Sequence, residues 1–561
     1  MPHKYRIADL KSAAFLNKGR TGSIPVRGTN RTRIFTAPFP TMPMPSNVSS
    51  SRALNGRQTA GSSSWLRILA AAGAVVFVCL LCFYPVTATD IWLQIKIGQM
   101  ILADGAIPKT VLFTFTWARD NPFHMHEWLP SILFYGVDVL SGHVGLMMLQ
   151  GALGLLLFVA CMKLALRLSG SVGVSLFLSG LALLVENFRY ELRPELFALL
   201  FLVWLLDILT RYREQANWRV LLWTLPLALV WANTHGSFLL GPVVACIFAA
   251  GEGAEQLRGG LSPAHWRSGV RVALPYVLAA LGMALVSLLN PMGLELWVFA
   301  LNLKGSAVTR MFINEWLPTL GQFTGQLAFW IFIATLALCI AAMMAGWRKL
   351  RVTDLLLLGA FTYVAFQHVR FVGLFGFIAL VVVARLAGVW SARARSERGI
   401  LVVCVACAAL GIGLLVKFGN LQMAYPYDAP STNFTKPMLE VFAQPDVKGN
   451  VINTYDLGSE LVYRAYPRLR PLIDPRIDSY GDDYFLLYQR LLSDENLLNE
   501  FVADYDVRYM LLLWFDFDRI KGMPSIQKGW KQRFGDQKMV LLERIGPAIH
   551  PPAPDALLTK P

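Results

Sequence analysis

The amino-acid sequence predicts an α-helical polytopic membrane protein of about eleven transmembrane helices with a small α/β domain at its C-terminal end. Three observations carry that prediction. Of the 561 residues, 55% are hydrophobic and only 16% charged, against roughly 25% charged in an ordinary soluble domain, and the mean hydropathy is +0.48. Apolar runs of bilayer-crossing length, about 17–25 residues, follow one another from residue 66 to residue 417. Beyond residue 420 they stop, and short alternating and helical patterns replace them. The composition excludes a soluble enzyme and a disordered chain.

The net charge of +15 would suit a nucleic-acid binder if it were spread over the molecule, but it is segregated. Residues 1–64 hold ten basic residues against Asp9 alone, residues 65–420 carry +9, and residues 421–561 carry −3. The first segment is rich in Ser, Thr, Pro, Gly and Arg and has no sustained apolar period. It reads as a disordered basic cytoplasmic tail, unable to bury enough surface to offset its ordering entropy. No partner among nucleic acids is expected.

The expected spans are 66–86, 143–166, 170–187, 194–210, 219–235, 237–253, 272–289, 324–346, 353–369, 371–390 and 399–417. A short amphipathic helix at 127–140 is expected between the first two, within a large first external loop at 87–142. All seven cysteines fall in apolar runs of this region, where a thiol behaves as a small hydrophobe. Lys163 and Arg167, the 211–219 stretch, Arg258, Arg267 and Arg271, and the 347–351 and 391–398 clusters all fall on one side. By the positive-inside rule the N-terminus is cytoplasmic and the C-terminal domain, residues 421–561, is extracytoplasmic, in a multi-pass plasma-membrane protein.

The opposite connections are of another kind: TATDIW (87–92), FHMHEWLP (123–130), ENFRYELRPE (186–195), WANTHGSF (231–238), NPMGLELW (290–297), INEWLP (313–318) and FQHVRF (366–371). Ionisable groups near a bilayer are costly and commonly face a cavity or functional pathway. Asp90 and Glu127 are the candidate catalytic acids. Arg189, Arg193, His235, His368 and Arg370, with Glu315 and Trp128, are the candidate binding residues, because arginine's fork suits phosphate oxygens. Each has a structural alternative. Asp90 stands where a helix N-cap would, Glu127 would cap the next helix or pair with His124, His235 precedes a glycine bend, and Arg370 would snorkel at a helix end.

The words D-I-W, M-I-L-A-D-G-A-I-P, T-F-T-W, H-E-W-L, W-A-N-T-H-G-S-F, N-P-M-G, N-E-W and H-V-R-F resemble a group of bacterial polytopic proteins related to the C-type (GT-C) membrane glycosyltransferases. That superfamily includes the mannosyltransferases, aminoarabinose transferases and oligosaccharyltransferases. The resemblance covers about 66–545, and I-D-P-R-I-D-S-Y in the last domain also matches. It implies a transferase of hexosyl or pentosyl units in cell-envelope polysaccharide biosynthesis. The donor would be a sugar on a polyprenyl phosphate in the bilayer, and the acceptor an extracytoplasmic glycan, lipid or protein. It also implies that the acid of the first external loop, here Asp90, acts as base on the acceptor or holds a divalent Mg or Mn. The sequence departs from the metal-dependent relatives, because Asp90 stands without a neighbouring acid between Thr89 and Ile91. A transporter or flippase of lipid-linked glycans and a catalytically inactive assembly protein remain as alternatives.

In the last domain, 449–456 and 509–516 read as strands and 483–505 as a helix. Asp474, Arg476 and Asp478 alternate at a possible strand end, with an internal Arg–Asp pair the expected arrangement.

Overall fold

The computed structural model describes residues 61–302, 314–388, 394–418 and 434–546. Residues 1–60 of the expected tail lie outside the described residues. The helices of the apolar region are α1 (Gly61–Cys82), α2 (Ile91–Asp104), α3 (Trp128–Ser169), α4 (Val172–Glu186), α5 (Glu195–Gln215), α6 (Thr224–Ala232), α7 (Leu240–Glu255), α8 (Pro263–Ser287), α9 (Leu294–Asn302), α10 (Leu327–Ala345), α11 (Val352–Gln367), α12 (Val372–Ala387) and α13 (Ala394–Phe418). Each of the eleven expected spans falls on a helix. Among the described residues, seven stretches are long and apolar enough to cross a membrane by themselves: Ser64–Cys82, Trp128–Ser169, Val172–Arg189, Gly236–Gly259, Pro263–Ser287, Leu327–Ala345 and Val369–Ala387.

The expected short helix at 127–140 and the expected second span are one element. α3 runs through both and breaks only at Gly142, whose φ of 55° and ψ of −149° are non-helical and suit a residue without Cβ. α12 is the most enclosed of the seven, with 83% of its apolar window buried, against α3, α4, α10 and α11. α8 instead presents Leu274, Leu278, Leu281 and Leu285 outward, an i, i+4, i+7, i+11 stripe that in water would be a liability and in lipid is the ordinary face of a spanning helix.

α2 lies on α3 through Gly98, where a Cβ would stand 2.0 Å from the Ser131 carbonyl oxygen. That close approach brings the first turn of α2 beside the first turn of α3, which sets up the site described below.

The C-terminal domain holds a five-stranded sheet of order β2-β1-β3-β5-β4, with β1 (Gly449–Asn453), β2 (Leu469–Pro471), β3 (Val507–Leu513), β4 (Trp530–Gly535) and β5 (Met539–Arg544). β1 is parallel to β2 and β3, while β5 is antiparallel to β3 and β4. Along β3, Tyr509 and Leu511 pack on one face and Met510 and Leu512 on the other, as the two-residue repeat of a strand buried on both sides requires.

Three expectations for this domain are corrected. The strand read at 509–516 ends at Leu513, and a helix starts at Trp514, placing Asp516 where it accepts from Thr454 Oγ1 at 2.8 Å. The single helix at 483–505 is two, Asp482–Leu491 and Glu495–Asp504, because Asp494 caps the second by accepting from the Leu497 N–H at 3.1 Å. Asp474 and Arg476 lie in the connection after β2 rather than on a strand. They form a buried pair there, with Nε to Oδ1 at 2.8 Å, and Tyr480 donates to Asp474 at 2.8 Å.

The segment between α1 and α3 docks on this domain. Arg476 donates to the Val111 carbonyl at 2.7 Å and Thr114 to the Leu472 carbonyl at 2.8 Å, while Val111 and Ala118 are buried in the domain's core. A hydrophilic insertion of this length, expected as a loop, is ordered because the domain supplies partners for its backbone.

Candidate active site

Asp90 opens α2 at helical dihedrals, but its side chain makes no capping hydrogen bond. The carboxylate turns instead toward Arg193, 3.7 Å away, with 41% of its side-chain surface open, and it lines a cavity of about 150 Å³. Burial of the surrounding site raises its pKa above the ordinary carboxylate range. Arg193 opposes that rise, and Glu315 and Asp474 add to it.

Glu127 lines the same cavity and likewise makes no capping hydrogen bond to α3. Gln94 Nε2 donates to its Oε2 at 2.5 Å, while Nε2 of His126 and Nε2 of His235 stand 3.6 and 3.8 Å from Oε1. His126, rather than the expected His124, therefore faces Glu127, and His124 stacks on Phe299 with ring centroids 4.9 Å apart.

The hydrogen bonds fix the tautomers. His126 Nδ1 lies 2.9 Å from the His124 carbonyl, which can only accept, so this nitrogen carries a proton and Nε2 of the neutral ring has none. His235 is the reverse case. Its Nδ1 accepts from the Ser237 N–H at 3.2 Å, leaving Nε2 to carry the proton toward Glu127.

Trp128 and Asn290 hold the frame. The Trp128 indole donates to Asn233 Oδ1 at 2.9 Å, and Asn290 Nδ2 donates to the same oxygen at 3.2 Å and to the Ala232 carbonyl at 2.8 Å. These bonds tie the start of α3 to the turns that follow α6 and α8.

Arg189 and Arg193, expected as phosphate ligands, are engaged by carboxylates. Arg189 contacts Glu195 and Glu315 at 2.6 Å each. Arg193 contacts Glu191 and Glu315 at 3.1 Å each, as well as Asp90. His368 donates from Nδ1 to the Trp316 carbonyl at 2.7 Å, and the Arg370 guanidinium lies 4.4 Å over the Trp316 ring. Among the described residues no carboxylate lies within 4 Å of Arg370, so its charge is uncommitted by ion pairing. Arg189, Arg193, His368 and Arg370 are not among the residues that line the cavity.

Sequence reasoning missed Gln94, His126, Glu191 and Glu195 and read Arg476 only as half of an internal pair. Three had a readable signal: Gln94 follows Asp90 by four residues on one helix face, and Glu191 and Glu195 flank Arg193 at two residues on either side. Arg476, which also lines the cavity, had none, because only the docking of the last domain brings it there. A wider cavity of about 510 Å³, lined mostly by Leu294, Val298, Phe299, Asn121 and Tyr480, adjoins at His124.

The arrangement does not fit a metal at Asp90. The space shared by Asp90, Glu191 and Glu315 holds the Arg193 guanidinium, and among the described residues no three His, Cys, Asp or Glu side chains group to hold an ion.

No protein-family model matches the chain, and no curated protein matches it. Solved structures do. The oligosaccharyltransferase AglB of Archaeoglobus fulgidus, in complex with an inhibitory peptide and a dolichol-phosphate, superposes with a TM-score of 0.55 at 12% identity, over 82% of this chain and 70% of that one. The Archaeoglobus fulgidus enzyme tethered to an acceptor peptide gives 0.54 at 12% identity, over 83% and 72%. The same enzyme with zinc and sulfate gives 0.52 at 13%, over 83% and 71%. The chain has the fold of these oligosaccharyltransferase structures.

Proposed function

We propose that the chain is an integral membrane glycosyltransferase that moves a sugar from a polyprenyl-phosphate-type lipid carrier to an extracytoplasmic acceptor, a surface glycan, lipid or protein. The observation that carries the reading is that Asp90 and Glu127, acids from two separate elements, line one cavity within a GT-C fold. The Archaeoglobus enzyme binds a dolichol-phosphate and an acceptor peptide, and a lipid-linked donor meeting an acceptor is the corresponding assignment here. The cavity side is read as extracytoplasmic and the basic loops as cytoplasmic, on the positive-inside rule.

Displacing a phosphate from an anomeric carbon requires a base for the acceptor proton and positive charge for the departing group. Asp90 is assigned the base. Burial raises its pKa, which makes the carboxylate a stronger base, while the Arg193 guanidinium favours its ionised form. Glu127 and His126, which both line the cavity, are assigned the protonation of the departing phosphate. Gln94 donates to the Glu127 carboxylate and His235 stands 3.8 Å from it, and the cation in the cavity wall is Arg476. No step is assigned to a metal.

The test is Asp90→Asn in the native host, with glycolipid and polysaccharide profiles compared with those of the parent and of a deletion strain. Loss of one glycoconjugate at normal protein abundance is the expected result. An unchanged product would remove Asp90 from the mechanism, and an unchanged deletion strain would remove the transferase reading altogether.

A further inference from the structure

Three carboxylates from three separate segments meet one guanidinium. Asp90 comes from the start of α2, Glu191 from the connection between α4 and α5, and Glu315 from the turn ahead of α10. They stand 3.7, 3.1 and 3.1 Å from the terminal nitrogens of Arg193. Nη2 meets Asp90 and Glu191, and Nη1 meets Glu315, while Nε is buried without an acceptor. Glu315 also meets Arg189 at 2.6 Å, while among the described residues Asp90 and Glu191 have Arg193 as their ion-pair partner.

Carboxylates delivered by separate segments to one point are how proteins build sites for hard divalent cations, with oxygens at about 2.0–2.6 Å from the ion. Here the oxygens stand farther back, around a planar cation with fixed donors. Two observations converge on one meaning. Asp90 has no adjacent acid to complete a metal ligand set, and the point its carboxylate shares with Glu191 and Glu315 is filled by a side chain.

We propose that Arg193 is a tethered substitute for a divalent cation. Its guanidinium supplies, from within the chain, the positive charge that draws these three carboxylates together and holds Asp90 ionised beside the cavity. Arginine stays protonated throughout the physiological range, so the charge is permanent, insensitive to chelators and independent of metal supply. The proposal rests on the transferase reading only for what that charge does in the reaction. The assembly of carboxylates on Arg193 stands apart from it.

The test uses full-length protein in nanodiscs, with Mn²⁺ alone as probe, followed by loss of the free-ion electron paramagnetic resonance signal. Wild type is expected to take up no Mn²⁺ at this site. Arg193→Ala opens the point between three carboxylates, two of them left without an ion-pair partner, and is expected to bind Mn²⁺ at least about tenfold more tightly than wild type, because ligand charge count sets cation affinity. Adding Glu315→Gln to that variant should abolish the gain.

Stoichiometric binding by wild type that disappears in Asp90→Asn would overturn the proposal, as would a folded Arg193→Ala that binds no Mn²⁺. Arg193→Gln, which keeps donors and bulk without charge, serves where the alanine variant does not fold, and the wild-type titration decides by itself if neither does. Because the readout is ion binding, a failed transferase assay leaves this result intact.

Discussion

The helical region carries two layers of buried charge, one at each end of its helices, built from the same residues to different ends. In the layer formed by the end of α3, α5, α7 and α12 and the start of α11, Arg167 holds Asp207 and Glu214, Arg351 holds Glu252, and Arg385 holds Asp354, which is 1% exposed. Asp354 also caps α11 by accepting from the Arg351 N–H at 2.9 Å. In the layer around Asp90 and Glu127 the acids face a cavity, two imidazoles crowd one carboxylate, and Arg370 rests on an indole rather than an acid. Pairing an arginine closes a structure. Directing an acid at a cavity keeps its charge available for chemistry.

The sharpest way to break the contrast is to exchange charge for shape in each layer. Asp90→Asn should lower transfer by about 10²–10⁴-fold, the range for a general base, with the thermal unfolding midpoint nearly unchanged. Arg385→Ala should instead destabilise the protein by about 3–5 kcal/mol, because a buried acid loses its partner, measured as unfolding in denaturant. An equal fall in stability for both variants would dissolve the distinction.

Glu127→Gln is expected to have the next largest effect, about 10²-fold on transfer, because the amide can neither take up nor release a proton. His126→Ala should reproduce most of it, which double-variant kinetics would show as non-additivity.

The pH profile refines the comparison. Burial makes the folded protein hold the Asp90 proton more tightly than the unfolded chain does, while Arg193 opposes this. Ionising Asp90 therefore costs stability as pH rises through its raised pKa, and transfer should fall as pH drops through that value. The acid limb of kcat/KM is expected above the ordinary carboxylate value of about 4. Arg193→Gln should move it further up, and a limb that moves down would contradict the ion pair's assigned effect.

Smaller still, Gly98→Ala should cost about 1–3 kcal/mol by pushing α2 off α3, with transfer reduced alongside stability, since Gln94 and Glu127 meet across that contact.

Much of the fold was legible because apolar length is a local property. Each expected span falls on a helix, and the break at Gly142 sits where the chain has a glycine without a partner nearby. The last domain was read less well. Leu513 and Trp514 are both apolar, so nothing local marks the change from β3 to helix, and only the pairing of β3 with β5 ends the strand at Leu513. In the site, Asp90, Glu127 and His235 were legible as polar residues at helix mouths. Their partners were not, since Glu315 reaches Arg189 and Arg193 across more than a hundred residues of chain.

The sequence by itself determined the helical class and the segregation of charge along the chain. Burial in a bilayer and the length needed to cross it are read off consecutive residues. Only the tertiary structure decided which acids are held by arginines and which face space. An ion pair depends on a few ångströms between segments far apart in sequence, and no spacing along the chain encodes that distance. Whether Arg193 would meet a phosphate or three carboxylates was therefore settled by the fold.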